Sequence, residues 1–283
     1  MKSFLTTPQR FLDKETIQKV QDFGNLSSIN EGDPLITYAI GDIHGMRELL
    51  VKLLVYLTSL GKHPVRVVFT GDYVDRGPDS LGVIAIVRLL QEIMGSDRCI
   101  ALRGNHEDML IHELKKYGAI YQDPKSYGYT RTPGVHNKPD DDVVRWLKSL
   151  PYMYEDDLHY YVHAGFEPFK SIHKQNNETM IWIRDEFLQG SHDFGKHVFH
   201  GHTPRMGFET TQFRTNLDTG AVFGGVLCAA EIDADKRLPV AIHYVYKDFE
   251  GRSFNPYKIE EVPLSKEDYE RNIKEKSNII GEI

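Results

Sequence analysis
Three times between residues 35 and 114 an apolar run ends at a polar loop containing glycine, and a helical pattern takes over. That rhythm restricts the fold more than any other feature of the chain. Leu35-Ile36-Thr37-Tyr38-Ala39-Ile40 reads as a strand and Gly41-Asp42-Ile43-His44-Gly45 as the loop after it. Met46, Leu49, Leu50, Leu53, Leu54, Leu57 and Leu60 then recur at the spacing of one buried helical face. Val65-Arg66-Val67-Val68-Phe69-Thr70 opens the second unit, followed by Gly71-Asp72-Tyr73-Val74-Asp75-Arg76-Gly77; Pro78 takes the first position of a helix that runs to about Met94. Cys99-Ile100-Ala101-Leu102 leads through Arg103-Gly104-Asn105-His106-Glu107-Asp108 into a helix ending near Leu114. Successive units of this kind predict an α/β fold in layers with right-handed crossovers.

Residues 117–142 break the rhythm with tyrosine, glycine and proline, the composition of a long functional loop. A short helix starts at Val143, and Tyr160-Tyr161-Val162 is a strand delivering His163-Ala164-Gly165. Strand signals at 197–200, 226–232 and 240–246 have few helices between them, so the second sheet is expected to be mixed or antiparallel. Residues 1–34 read as a surface extension, 35–257 as the catalytic domain, and 258–283 as a charged tail that packs weakly.

A net charge of −7 argues against nucleic acid or an anionic membrane as the main partner, because both select clustered Lys and Arg. The only two cysteines, Cys99 and Cys228, each fall inside an expected strand, which suits buried thiols in a reducing compartment. No secretory leader and no run of 18 apolar residues is visible, so a soluble cytoplasmic protein is expected.

Sites in open α/β sheets lie beyond the carboxyl ends of strands. The polar residues there are Asp42, His44, Asp72, Asn105, His106, His163 and His202. Oxygen and imidazole donors without cysteine suit a borderline divalent metal such as Mn²⁺, Zn²⁺ or iron and disfavour a structural zinc site. Donors from so many loops suggest two ions, with Asp72 shared, Asp42 and His44 completing one, and Asn105, His163 and His202 the other. Such a pair clamps a phosphorus centre for in-line displacement by hydroxide. Asp75 and Arg76 are then placed to orient a catalytic histidine and to grip phosphate.

The motifs Gly41-Asp42-Ile43-His44-Gly45, Gly71-Asp72-Tyr73-Val74-Asp75-Arg76-Gly77, Gly104-Asn105-His106-Glu107 and Gly201-His202-Thr203-Pro204, with His163-Ala164-Gly165, resemble those of the phosphoprotein phosphatases among the calcineurin-like metallophosphoesterases. The resemblance runs from about residue 36 to 233. It implies a β-sandwich of two mixed sheets flanked by helices, with a two-metal site at its mouth. It also implies that His106 is the general acid held by Asp75, and that Arg76, Arg184 and Asn105 contact the substrate phosphate. The Gly201-His202-Thr203-Pro204 ending and Asn216-Leu217-Asp218-Thr219-Gly220 resemble the bacterial and phage members, not the eukaryotic ones. The implied activity is hydrolysis of phosphoserine and phosphothreonine, with phosphotyrosine as a further substrate, by a hydroxide bridging two divalent metal ions, manganese being the expected metal and iron or zinc the alternatives. The implied partner is a phosphoprotein or phosphopeptide. The alternatives are a diadenosine tetraphosphate hydrolase and, third, a non-catalytic phosphoprotein-binding protein.

Blander readings compete at several positions. A Gly-Asp pair after a strand is ordinarily turn chemistry, and only the joint occurrence of the donors favours metal. His200, two residues before His202, is a decoy on the same strand pattern. His112, His136, His159, His173, His192, His197 and His243 fit no motif and read as surface or packing residues. Arg103 either contacts substrate or neutralises carboxylates, and Tyr117, Tyr121, Tyr127 and Tyr129 either rim the substrate or cover core.

Overall fold
The computed structural model describes residues 7–28, 34–117, 140–205, 207–247 and 257–264. Helix α1 (Lys14–Gly24) precedes the three expected units, which become β1 (Ile36–Ile40), α2 (Arg47–Ser59), β2 (Val65–Phe69), α3 (Ser80–Met94), β3 (Cys99–Ala101) and α4 (Asn105–Tyr117). Helix α5 (Asp141–Ser149) leads to β4 (Met153–Glu155) and β5 (His159–Val162), then α6 (Asn177–Trp182), α7 (Asp185–Leu188), β6 (His197–His200), β7 (Glu209–Thr210) and β8 (Arg214–Asn216). The described chain closes with β9 (Leu227–Asp233), β10 (Ala241–Lys247) and β11 (Tyr257–Pro263).

One sheet has the order β11-β10-β9-β1-β2-β3 and the other β4-β5-β6-β8-β7. Strands β1, β2 and β3 run parallel, as the crossover helices require, while β9 returns antiparallel to the free edge of β1. The second sheet is mixed: β5, β6 and β8 are parallel and β4 and β7 antiparallel to their neighbours. Alternation along the strands builds two cores. Tyr38, Ile40, Val67 and Phe69 join Leu50, Leu54, Val83, Ile86 and Leu90 of the helical layer. Ala39, Val68, Cys228, Ala230 and Ile242 instead meet Tyr161 and Phe199 of the second sheet. Both faces of β1 and β2 are covered, Arg66 alone being part-exposed, which is why their sequences are mostly apolar. The Tyr161 and Phe199 rings stack at 5.4 Å and 16° between the sheets. Fully burying a side chain of this kind stabilises by roughly 1.5–3 kcal/mol.

Four expectations are corrected. Strands at 226–232 and 240–246 belong to the first sheet, because an antiparallel return can pair with β1 without a crossover helix. Residues 14–24 are not a surface extension: Val20 and Phe23 are completely buried in the helical core. The charged stretch after Lys258 does not pack weakly throughout, since β11 pairs with β10 along seven residues. Pro78 lies before the helix; Asp79 is the N-cap of α3 and its carboxylate accepts the Gly82 amide. Tyr121, Tyr127, Tyr129 and His136 lie outside the described residues, as does most of the 117–142 loop.

Candidate active site
The loops leaving β1, β2, β3, β5 and β6 converge at one end of the sandwich, and the main chain itself joins them. Amides of Ile43 and His44 donate to the Asp72 carbonyl at 3.2 and 2.8 Å, and the Gly45 amide donates to the Tyr73 carbonyl at 2.9 Å. Glu107, at the start of α4 and wholly buried, locks the β2 loop to the β3 loop. Its Oε2 accepts the amides of Asp72 and Gly104, both at 2.9 Å, and its Oε1 those of Tyr73 at 2.8 Å and Val74 at 3.2 Å. Burial, then the charge of Asp72, pushes this carboxyl up to about 8 against the pull of those donors.

These tethers hold the backbone where it would not rest alone. His44, Asp72, Asp75, Arg76 and His202 all have positive φ, between 45° and 71°, and Phe169 is the sixth such non-glycine residue among those described. Backbone strain of this kind persists only where surrounding structure over-determines it, and it clusters at functional sites. Two glycines allow the loops to close. A Cβ at Gly104 would sit 2.1 Å from Asp72 Oδ1, and one at Gly201 only 1.9 Å from Asp42 Oδ1.

Asp72 is the centre of the resulting cluster. Its Oδ2 lies 3.4 Å from His44 Nε2 and its Oδ1 3.4 Å from His163 Nε2. Asn105 Oδ1 lies 2.8 Å from His163 Nε2 and 2.9 Å from His202 Nδ1. Asp42 Oδ2 accepts the His202 amide at 3.0 Å. The expected metal donors Asp42, His44, Asp72, Asn105, His163 and His202 are thus brought together, each no more than 4% exposed.

The donor set fits divalent cations. His44, Asp72 and His106 form one group of ligand atoms within 4.8 Å, and Asp72, His163 and His202 form another. Asp72 is common to both groups. His44 and His163 direct Nδ1 to the carbonyls of Val74 and Thr70, at 2.8 and 3.0 Å, which leaves each Nε2 lone pair facing Asp72. Asp42 Oδ1 and His202 Nε2 are buried and have no hydrogen-bond partner. Burial holds the imidazoles neutral: it takes His163 down to about 3 and His44 well below its usual value. Burial, followed by Asp218 and Asp72, raises Asp42. Lone-pair imidazoles beside crowded carboxylates are what a bound cation stabilises.

His106 enters the first group although the sequence placed it as an acid, because Asp75 turns its ring toward Asp72. Asp75 Oδ2 lies 2.6 Å from His106 Nδ1, and His106 Nε2 lies 3.9 Å from Asp72 Oδ2. Burial, then Asp72, pushes Asp75 up to about 8. Arg76 and Arg184 are exposed at the mouth, Arg76 Nη1 2.6 Å from His44 Nε2, Arg184 Nη1 donating to the His202 carbonyl at 3.1 Å and to Thr203 Oγ1 at 3.0 Å.

Three residues resolve or extend the sequence reading. Arg103 is committed to structure, donating to Tyr152 Oη at 2.7 Å, the Lys148 carbonyl at 2.7 Å and Asp108 at 3.3 Å. His200 points away from the cluster, edge-on to Phe187 at 5.0 Å. Asp218 was missed: it is 5% exposed and faces Asp42, and burial pushes it up to about 6. Its signal in sequence was only a carboxylate in a strand-end Asp-Thr-Gly turn.

The sequence pattern of the calcineurin-like phosphoesterases matches residues 37–225. The chain belongs to that family. This calcineurin-like phosphoesterase is accordingly a phosphoester hydrolase with a candidate dinuclear metal site. Over 207 residues it is 29% identical to serine/threonine-protein phosphatase 1 of Salmonella typhimurium, covering 69% of this chain and 91% of that one. Over 129 residues it is 33% identical to a symmetrical bis(5'-nucleosyl)-tetraphosphatase of Bordetella pertussis, 45% of this chain and 43% of that one. Among solved structures, a cold-active protein-tyrosine phosphatase of a psychrophilic Shewanella species shares the fold, with a TM-score of 0.51 and 19% identity over 73% of this chain and 79% of that one. No helix among the described residues is long and apolar enough to cross a membrane.

Proposed function
We propose that this phosphoesterase is a protein phosphatase of the phosphoprotein phosphatase type, hydrolysing phosphoserine and phosphothreonine monoesters, with phosphotyrosine as a further substrate. The observation that carries the reading is the buried His106–Asp75 pair, 2.6 Å apart, with His106 Nε2 3.9 Å from Asp72 Oδ2. A serine or threonine alkoxide is a poor leaving group, and a positioned proton donor is worth about 10²–10⁴ in rate. A nucleotide phosphate leaves more easily and depends on that proton less.

Asp42, His44 and Asp72 would hold one divalent cation, and Asp72, Asn105, His163 and His202 the other; manganese, iron and zinc all suit these donors. When bound, such a pair supplies an activated water and neutralises charge on the phosphoryl oxygens. Arg76 and Arg184 bind those oxygens with guanidinium forks whose spacing matches a pair of phosphate oxygens. The Asn105 side-chain amide would contact the same phosphate. His106 Nε2 delivers a proton to the departing oxygen while Asp75 fixes Nδ1 and stabilises the imidazolium. The free thiols Cys99 and Cys228, both buried, support a cytoplasmic location.

The test is a panel of phosphoserine, phosphothreonine and phosphotyrosine peptides and diadenosine tetraphosphate, each assayed with Mn²⁺. Phosphate release from the serine and threonine peptides is expected, with Asp72→Asn losing both Mn²⁺ binding by calorimetry and turnover. Hydrolysis of diadenosine tetraphosphate alone would assign the site to the other activity.

A further inference from the structure
Beside Arg76, the mouth of the site carries an aromatic ring that none of the steps above uses. Phe223 is 65% exposed, and the Arg76 guanidinium lies over its ring at 5.3 Å. An exposed phenylalanine is ordinary when it stands alone, but this one is held out by a built turn. It ends the 3₁₀ turn Ala221–Phe223, bracketed by Gly220 and Gly224, both left-handed at φ +69° and +88°. The amides of Phe223 and Gly225 both donate to the Gly220 carbonyl, at 2.9 and 3.0 Å. Thr219 Oγ1 donates to the Val226 carbonyl at 2.5 Å, and Asp218 Oδ1 accepts the Gly220 amide at 3.1 Å. The turn thus reaches from the buried carboxylates to the rim, and its Phe223 side chain has not collapsed onto the core. Trp182, 38% exposed and edge-on to His202 at 5.9 Å, stands two residues from Arg184.

We infer that Phe223 is a specificity-determining residue: its ring is a stacking platform for the leaving group of a phosphate held by Arg76, and it favours esters whose phosphate is carried on a flat aromatic ring, as in a tyrosyl phosphate. This rests on the reading that Arg76 takes the phosphate. The Arg76 contact sets the ring beside the phosphoryl position, and ring-to-ring contact adds attraction that a serine or threonine methylene cannot match.

The experiment compares kcat and KM of the Mn²⁺-loaded enzyme and its Phe223→Leu and Phe223→Tyr variants on two peptides of one sequence, carrying phosphotyrosine or phosphoserine, and on diadenosine tetraphosphate. Taking each variant relative to wild type removes the intrinsic difference between leaving groups. Phe223→Leu is expected to lower kcat/KM about tenfold on the phosphotyrosine peptide, mainly through KM, and to stay within about twofold on the phosphoserine peptide. Phe223→Tyr is expected to restore the wild-type ratio. Equal losses on both peptides would mean that the ring acts only by bracing Arg76, and no loss would mean that it does nothing; either overturns the inference. A loss confined to diadenosine tetraphosphate overturns it in favour of a nucleobase. Wild-type enzyme inactive on every phosphopeptide would instead defeat the proposed function itself.

Discussion

Replacing Glu107 with Gln tests whether one buried carboxylate assembles the catalytic loops. Its two oxygens accept four amides, from Asp72, Tyr73, Val74 and Gly104, at 2.8–3.2 Å. Glutamine keeps the shape but offers a single acceptor oxygen. Its NH₂ must face one of the two amide pairs, leaving two buried N–H donors opposed by another donor. Each buried donor left unmade costs about 1–3 kcal/mol, so the variant is expected to lose roughly 2–6 kcal/mol. That is a large part of the ~5–15 kcal/mol that holds a typical domain folded. The residues displaced are Asp72 and the segment carrying Asp75 and Arg76, and a misplacement of about 1 Å at such a site can cost on the order of 10²-fold in rate. Urea denaturation monitored by tryptophan fluorescence reads the first effect, and kcat on an aryl phosphate with saturating Mn²⁺ reads the second. A variant less than about 1 kcal/mol weaker and fully active would refute the assignment, because the four amides would then have found other partners without moving the loop.

Other substitutions probe the same reasoning elsewhere. His106→Asn is expected to lower kcat by about 10²–10⁴ on a phosphoserine peptide and much less on an activated aryl phosphate, with Mn²⁺ affinity read separately by calorimetry; equal losses on both substrates would remove the proton-donor role. Phe23→Ala, in the wholly buried face of α1, is expected to cost about 3–5 kcal/mol in urea denaturation, whereas a true surface extension would lose almost nothing. His197 is fully buried against Thr215, and burial takes it down to about 3. Its folded pKa is depressed, so the unfolded chain binds the proton first and stability falls as pH drops from about 6.5 toward 3. Between pH 6 and 5 that loss approaches about 1.4 kcal/mol per unit, and His197→Asn should abolish this share of the slope; an unchanged slope would show that the imidazole protonates in place.

Much of this protein could be read along the chain because its information is local. The periodicity of Leu49, Leu50, Leu53, Leu54 and Leu57 sets which face of α2 is buried, and the mostly apolar runs at 36–40 and 65–69 follow from a sheet covered on both sides. Asp42, His44, Asp72, Asn105, His163 and His202 were nameable because each follows an expected strand, where a sheet delivers its ligands. What the sequence could not carry is pairing between distant segments. An antiparallel return has no periodicity that names its partner, so β9 and β10 were assigned to the wrong sheet, and β11 looked like tail because its charges hide a strand pattern at the edge. Glu107 had a place in a motif but no task until four amides of two loops converged on it, and Asp218 had none until β8 and β9 brought it against Asp42. Tertiary structure decided these matters because hydrogen bonds and carboxylate crowding depend on distance in space, whereas the strand and helix patterns depend only on distance along the chain.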